Sequence, residues 1–383
     1  MITATEILKQ VVAIPSVEPT QAGSGEEAGE ERMARYFADF LSDCGFEVEW
    51  QWVQPGRPNV WAWGGSPDRR KVVLLESHLD TVGTDGMVVP PFAAEIRDGR
   101  LHGRGAADCK GGLASALAAC ARTDLAALAA RGVTLLYLGT MGEETGNNGA
   151  WAAAPRLPEG LWRTVVLEPT EMTAVFASKG IAAIEVDIAG RSAHGSAPEE
   201  GVNAIYAAAE FTRRLRALAD AEGIRFGNEW VGRPSMNVGM IRGGIAPNVV
   251  APSCHVEFDW RVVAPERIGD VKAAIGALLD GMVAEDLCLS WTLKQTQNNE
   301  PLSTDPDSPL VGAFRDAFRA EGLPPATGGV RWCCDASVFC PRSAETVVFG
   351  PGSIKRAHAS DEWIDLAEVE AAARVLQRVI AAF

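Results

Sequence analysis

Four short aliphatic runs constrain this chain more than any other feature. They are Val72-Val73-Leu74-Leu75, Val133-Thr134-Leu135-Leu136-Tyr137-Leu138, Thr164-Val165-Val166-Leu167 and Thr346-Val347-Val348-Phe349. None alternates with polar residues, and strands of that kind are buried on both faces, as in a parallel sheet covered by helices. Each run leads into a histidine or an acid. The first continues as Ser77-His78-Leu79-Asp80-Thr81-Val82, the second as Gly142-Glu143-Glu144-Thr145-Gly146, the third as Glu168-Pro169-Thr170, and the fourth passes a Gly/Pro turn to His358. Open α/β sheets place their ligands beyond the carboxyl ends of their strands. One acid at such a place is usually a solvated loop carboxylate, and His78 beside Asp80 alone reads as a satisfied structural pair. Four such strand ends together point to one site.

The remaining sequence fills in around these strands. Residues 3–15 and 27–43 read as helices, the second capped from the acidic stretch at 26–31. Phe46–Trp52 and Asn59–Trp63 read as strands, and the alanine-rich stretch Leu113–Ala130 as one helix. Before it lies Leu101-His102-Gly103-Arg104-Gly105-Ala106-Ala107-Asp108-Cys109-Lys110-Gly111-Gly112. The glycine spacing matches neither a dinucleotide nor a P-loop fingerprint. The better reading is a tight bend that turns Asp108 into a crowded site just ahead of a helix.

From Lys179 to about Gln297 the pattern changes to alternation. Ile184, Val186 and Ile188 interleave with Glu185 and Asp187, and Cys254, Val256, Phe258 and Trp260 interleave with His255, Glu257, Asp259 and Arg261. With helices at Val202–Leu218 and Glu266–Met282, and strands at Met236–Met240 and Cys288–Leu293, the order is βαββαβ, the ferredoxin-like plan. The predicted fold class is α/β: a mixed, mostly parallel sheet in a hydrolase domain of residues 1–177 and 298–383, with an inserted α+β domain at 178–297. A chain of 383 residues suits two domains.

A formal net charge of −15 argues against nucleic acid or an anionic membrane as partner. No apolar run approaches the length of a membrane span, and residues 1–9 lack a basic region followed by an apolar one, so the expected location is the cytoplasm. The eight cysteines show no paired spacing and read as reduced thiols. A catalytic thiol at Cys109 or Cys333 is the less favoured alternative.

His78, Asp108, Glu144, Glu168 and His358 are an imidazole and carboxylate donor set without thiolate, which suits zinc, or cobalt or manganese. Five donors exceed the needs of one open catalytic metal and suit two ions if one carboxylate bridges, a hydrolytic arrangement. Glu143, adjacent to Glu144, is then available as a general base.

These motifs carry a family resemblance. Ser77–Val82, the loop from Gly103 to Gly112, Gly142–Gly146 and Leu167–Thr170 resemble, in order, the motifs of the M20 metallopeptidase family of deacylases and exopeptidases. The resemblance spans essentially the whole chain. It implies one metal held by His78, Asp108 and Glu168 and a second by Asp108, Glu144 and His358, with Glu143 as base and Asp80 orienting His78. It implies a cis bond at Asp108–Cys109. It makes the inserted domain a lid and homodimerisation domain, in which His194, within Ser192–Pro198, stabilises the oxyanion of a facing site. Arg261 and Asn248 resemble substrate-carboxylate contacts, and Asp335 and Ser337 lie in the family's substrate loop. That loop departs from the pattern, because Cys334 stands where a threonine hydroxyl is usual. His102 and His255 read as structural. The function implied is metal-dependent hydrolysis of an N-acyl amino acid. A carboxypeptidase or dipeptidase of the same mechanism is the alternative, and an inactive binding protein on the same fold is a third reading.

Overall fold

The aliphatic runs form the centre of the larger sheet. The structure is a computed structural model and describes residues 2–23 and 28–383. Its strands in chain order are β1 (Glu47–Gln54), β2 (Arg57–Gly65), β3 (Val72–His78), β4 (Glu95–Arg97), β5 (Arg100–His102), β6 (Thr134–Thr140), β7 (Leu161–Val166), β8 (Ala174–Ser178), β9 (Gly180–Ala189), β10 (Ser235–Gly243), β11 (Ser253–Val262), β12 (Ser290–Asn299), β13 (Thr327–Val330), β14 (Glu345–Val348) and β15 (Trp363–Asp365). Eight of them make a sheet of order β1-β2-β6-β3-β7-β14-β8-β13. The pairs β6–β3, β3–β7 and β7–β14 are parallel, whereas β2 runs antiparallel to β6 and to β1. Every residue of β3 and β6 is buried, as their unbroken apolar character predicts. Their carboxyl ends therefore open on one edge, and the chemistry-bearing residues follow there.

The chain divides into two units. The first comprises Met1–Phe176, Thr304–Gly328 and Cys334–Phe383, and the second comprises Ala177–Ser303 with Gly329–Cys333. The second unit therefore takes in a short stretch of the substrate loop that the sequence places in the hydrolase domain.

Two helix expectations need correction. The stretch Leu113–Ala130 is two helices, Gly111–Ala121 and Leu125–Ala130. The Asp124 carboxylate accepts from the Ala127 N–H at 3.0 Å, and an Asp that can cap a new helix start competes with continuation of the old one. The helix expected at 27–43 is described over Glu31–Asp43, and residues 26–27 of its supposed capping stretch fall at or beyond the edge of the described residues. Glu30, the residue at its N-cap, makes no side-chain cap bond. It is buried instead, accepting from Arg57 Nε at 2.8 Å.

In the second unit, β10-β11-β9-β12 form an antiparallel sheet with the helices Ala204–Arg225 and Ile268–Ala284 between strands in sequence, which is the ferredoxin-like order. Cys254, Val256, Phe258 and Trp260 of β11 join one buried core with Ile184, Val186 and Ile188. On the other face His255 is held by Asp187 Oδ1 at 2.8 Å and Glu257 Oε1 at 3.2 Å, so its role is structural. Among the described residues, no helix is long and apolar enough to cross a membrane.

Candidate metal centre

His78 ends β3, and the turn after it brings Asp80 back onto the imidazole. Nδ1 of His78 meets the Asp80 carbonyl at 3.0 Å and its carboxylate at 3.4 Å, which leaves Nε2 turned toward Asp108 Oδ1 at 3.0 Å. Asp80 also does something the sequence does not show. Its two carboxylate oxygens accept the backbone N–H groups of Glu143 and Glu144, each at 3.1 Å. One buried acid thus fixes both the imidazole after β3 and the Glu-Glu turn after β6.

That turn begins at Gly142, which adopts φ +64°, and a Cβ there would meet Arg57 Nη2 at 3.1 Å. Only glycine takes this conformation without cost. Arg57 beneath it is buried and paired with Glu18 at 2.9 Å and with Glu30.

Asp108 comes from the glycine-rich loop. The Asp108–Cys109 bond is cis, as the resemblance implies. The loop is held from one side by Glu362, a fully buried residue just before β15. Glu362 Oε1 accepts from the N–H groups of Ala107 at 2.9 Å and Asp108 at 3.2 Å, while Oε2 accepts from Gly105 N–H at 3.0 Å and Arg104 Nη1 at 2.6 Å. Pairing of β15 with β5 brings Glu362 alongside this loop. Its role is missed in the sequence, where it is one acid among many in an acidic chain. The only available signal is its closeness to His358.

The carboxylate of Asp108 faces two imidazoles, Oδ1 toward His78 and Oδ2 toward His358 Nε2 at 3.5 Å. His358 Nε2 also lies 3.1 Å from Glu144 Oε2, and Glu168 Oε1 lies 4.0 Å from His78 Nε2. His358 is held at φ +60°, an uncommon conformation for a residue with a side chain and one found at functional sites. Two groups with donor atoms close enough to hold an ion result, His78-Asp108-Glu168 and Asp108-Glu144-His358, with Asp108 common to both. Histidine nitrogens and carboxylate oxygens are the donor set expected for zinc-like or manganese-like divalent ions.

The electrostatics favour positive charge in this space. Burial, and then Asp108, push Glu168 well above the usual carboxylate range. Glu144 is raised by burial and by Asp108 against the pull of His358. Burial opposes ionisation of Asp108, yet the hydrogen bond and charge of His78 hold it below its ordinary value. Glu143 belongs to neither of these groups. Its Oε1 accepts from Asn147 Nδ2 at 3.1 Å, and burial, Asp335 and Glu144 raise it well above the ordinary range. Burial pushes the Cys109 thiol upward, which removes the thiolate a nucleophilic cysteine needs.

Two residues of the expected substrate loop, Asp335 and Ser337, are held by neighbours of their own unit. Asp335 is buried, accepting from Asn147 Nδ2 at 2.8 Å and from Thr140 Oγ1 at 3.0 Å, with Glu76 beside it. Ser337 is buried too, and its hydroxyl donates to the Cys334 carbonyl at 2.8 Å. Asp335 thus sits among the side chains of Asn147, Thr140 and Glu76. Asn147 and Glu76, which join Asp335 there, are also missed in the sequence, because nothing in a linear pattern marks a neutral amide or a mid-strand acid as a support.

The other candidates lie in the second unit. His194 is exposed, and its Nδ1 lies 3.2 Å from the Ser196 N–H and 2.7 Å from its hydroxyl. Arg261 is half-buried and donates to Asp259 Oδ2 at 2.9 and 3.1 Å. Asn248 is exposed, and its carbonyl accepts from Gly195 N–H at 2.8 Å.

Comparison with known proteins identifies the family and the fold. The acetylornithine deacetylase of Proteus mirabilis (strain HI4320) is 30% identical over 398 residues, which covers 100% of this chain and 97% of that protein. Among solved structures, a tripeptidase from Staphylococcus aureus superposes with a TM-score of 0.75 at 22% identity, over 99% of this chain and 98% of that one. A dinuclear metal binding peptidase from Bacillus subtilis superposes with a TM-score of 0.70 at 14% identity, over 99% and 97%. The sequence profile of peptidase family M20/M25/M40 matches residues 74–382, from β3 to the last helix, and the chain belongs to that family.

Proposed function

We propose that this protein is a metal-dependent amidohydrolase that cleaves the amide bond of an N-acyl amino acid. The observation that carries the proposal is the position of Glu143. It is an ionisable side chain outside both donor groups, fixed by Asn147 and adjacent in sequence to Glu144, a member of one of them. Support for the substrate class comes from the relatives named acetylornithine deacetylase.

His78, Asp108 and Glu168 would hold one divalent ion and Asp108, Glu144 and His358 the other, zinc first and cobalt or manganese as substitutes. Such a pair, when bound, lowers the pKa of water and polarises a carbonyl. Glu143 accepts a proton from the attacking water and returns it to the leaving nitrogen. Asp80, through its hydrogen bonds to the Glu143 and Glu144 N–H groups, keeps the base and the neighbouring ligand in register. In His194, an N–H donated from Ser196 to Nδ1 places the proton of the neutral ring on Nε2, so that Nε2 is the donor for an oxyanion. Arg261 and Asn248 would face the substrate carboxylate. Lys179, whose pKa burial lowers with help from Arg331 and Arg261, belongs to the same cationic group.

The proposal extends to a homodimer through the second unit. There β10 is an edge strand, and Tyr206, Ile241 and Ile245 are exposed beside it. An unpaired edge flanked by exposed apolar side chains is a surface that a second copy would cover.

The test is acyl-release kinetics of the metal-loaded chain over N-acetyl and N-succinyl amino acids and unblocked dipeptides. The proposal expects the N-acyl amino acids to turn over fastest. Faster cleavage of dipeptides would replace it with an exopeptidase, and no cleavage of any of them would leave a binding protein.

A further inference from the structure

Asn147 stands between two acids, Glu143 and Asp335, that lie outside both donor groups. It follows the Glu143–Thr145 turn in the left-handed conformation, at φ +61°, and is buried. Its side-chain nitrogen Nδ2 lies 3.1 Å from Glu143 Oε1 and 2.8 Å from Asp335 Oδ1. An amide nitrogen carries two hydrogens, so each acid accepts one of them. The same constraint decides which way the amide faces, because the carbonyl oxygen of a flipped Asn147 would meet both acids as one more acceptor. Asp335 is also buried, and its other oxygen, Oδ2, accepts from the Thr140 hydroxyl at 3.0 Å. Thr140 ends β6 in register with His78 at the end of β3. Asp335 is thus tied to the sheet edge that carries the first donor, and Asn147 carries that position on to Glu143.

We propose that Asp335 is a positioning residue for Glu143: by taking one amide hydrogen of Asn147 it aims the other at Glu143 Oε1, and so leaves Oε2 as the oxygen that receives the proton. This rests on Glu143 being the general base. Among the described residues, the hydrogen bond from Asn147 is the one that the Glu143 carboxylate receives. An oxygen that already accepts a hydrogen bond is the weaker base of the pair. The proton of the attacking water therefore passes to Oε2 and leaves from Oε2 to the departing nitrogen. Without Asp335, one hydrogen of a buried amide has no acceptor, and the amide turns to find another. Glu143 then loses the contact that fixes its carboxylate, and a base out of place slows the proton transfer without weakening substrate binding. Direct contact of Asp335 with substrate would leave the opposite signature, a change in KM.

A double-mutant cycle of Asp335→Ala and Asn147→Gly on the metal-loaded chain tests this, using whichever N-acyl amino acid or dipeptide the wild type cleaves fastest. Asp335→Ala should lower kcat by roughly tenfold or more, with KM within about twofold and metal content unchanged. The double variant should be no slower than Asn147→Gly alone, because Asp335 acts through Asn147. Asp335→Asn, whose amide oxygen can still accept from Asn147 while its NH2 group faces the Thr140 oxygen, should restore most of the loss. Hydrogen exchange of the Asn147 side-chain amide, identified by the resonances missing from Asn147→Gly, reads the contact without turnover. Both hydrogens should exchange slowly in wild type and roughly tenfold or more faster in Asp335→Ala. Additive losses in the cycle, or a raised KM with unchanged kcat, would overturn the proposal. So would fast exchange in wild type, which decides the matter even if Asp335→Ala does not fold. A wild type that cleaves neither substrate class would sink the proposed reaction, while slow exchange lost in Asp335→Ala would still support the contact.

Discussion

Glu362→Gln tests how Asp108, the acid common to both donor groups, is held. The two oxygens of Glu362 accept four donors: Arg104 Nη1 and Gly105 N–H on Oε2, Ala107 and Asp108 N–H on Oε1. A glutamine keeps the shape but replaces one acceptor with an NH2 group, so whichever way the amide turns, two of the four donors face another donor. A hydrogen bond to a charged group contributes about 1.5–3 kcal/mol, and breaking a buried ion pair by removing one partner costs about 3–5 kcal/mol. Arg104, 3% exposed, has little water to turn to. The expected loss is therefore about 3–5 kcal/mol, read by urea denaturation of the metal-free protein at pH 7. Because the Asp108 N–H is one of the donors, the carboxylate common to both donor groups should also lose its position, and turnover should fall by at least roughly tenfold. The double variant Arg104→Met/Glu362→Gln should recover part of the loss, since it no longer buries an unpaired cation, while the backbone donors stay unsatisfied. A loss below about 1 kcal/mol with unchanged turnover would refute the view that Glu362 holds the loop.

Two further outcomes follow from the same reasoning. Glu266 has a folded-state pKa raised to about 7 from 4.5, so the folded state holds a proton that the unfolded chain releases, and stability is lost as pH rises through that window. The shift corresponds to about 3 kcal/mol before solvent screening and about 1–2 kcal/mol after it; Glu266→Gln should therefore match wild type at pH 5 and exceed it by that amount at pH 8 in urea denaturation, and equal stability at both pH values would contradict the assignment. Asn147→Gly keeps a residue that tolerates φ +61° while removing the donors to Glu143 and Asp335. It should lower kcat by roughly tenfold or more with little change in KM, and a KM effect alone would show that Asn147 serves binding rather than the base.

The legibility of this protein in its sequence follows from the kind of signal each feature leaves. The parallel core reads directly, because strands buried on both faces have no polar alternation to hide them, and their ends are where ligands lie. The βαββαβ unit reads equally well, because one wet face forces period two. His78, Glu144, Glu168 and His358, which follow strand ends, and Asp108, from the glycine-rich loop, come together in space. Supports are another matter. Glu362 and Glu76 are acids among fifty acidic residues, and only burial distinguishes them. Asp335 and Ser337 show the complementary case: the resemblance marks their loop, whereas their hydrogen bonds to Asn147, Thr140 and the Cys334 carbonyl become visible only in the fold. The break between Ala121 and Leu125 is similar, since alanine content favours one helix and the cap at Asp124 decides for two.

The central claim is that Glu143 moves the proton while the residues around Asp108 hold the ions. Glu143→Gln separates these roles, because it preserves the shape of a side chain that belongs to neither donor group. The decisive measurement is metal content per chain together with turnover of an N-acetyl amino acid by this variant. The account predicts two ions retained and turnover reduced by roughly 10²–10⁴-fold. Turnover near that of wild type with both ions in place would contradict it.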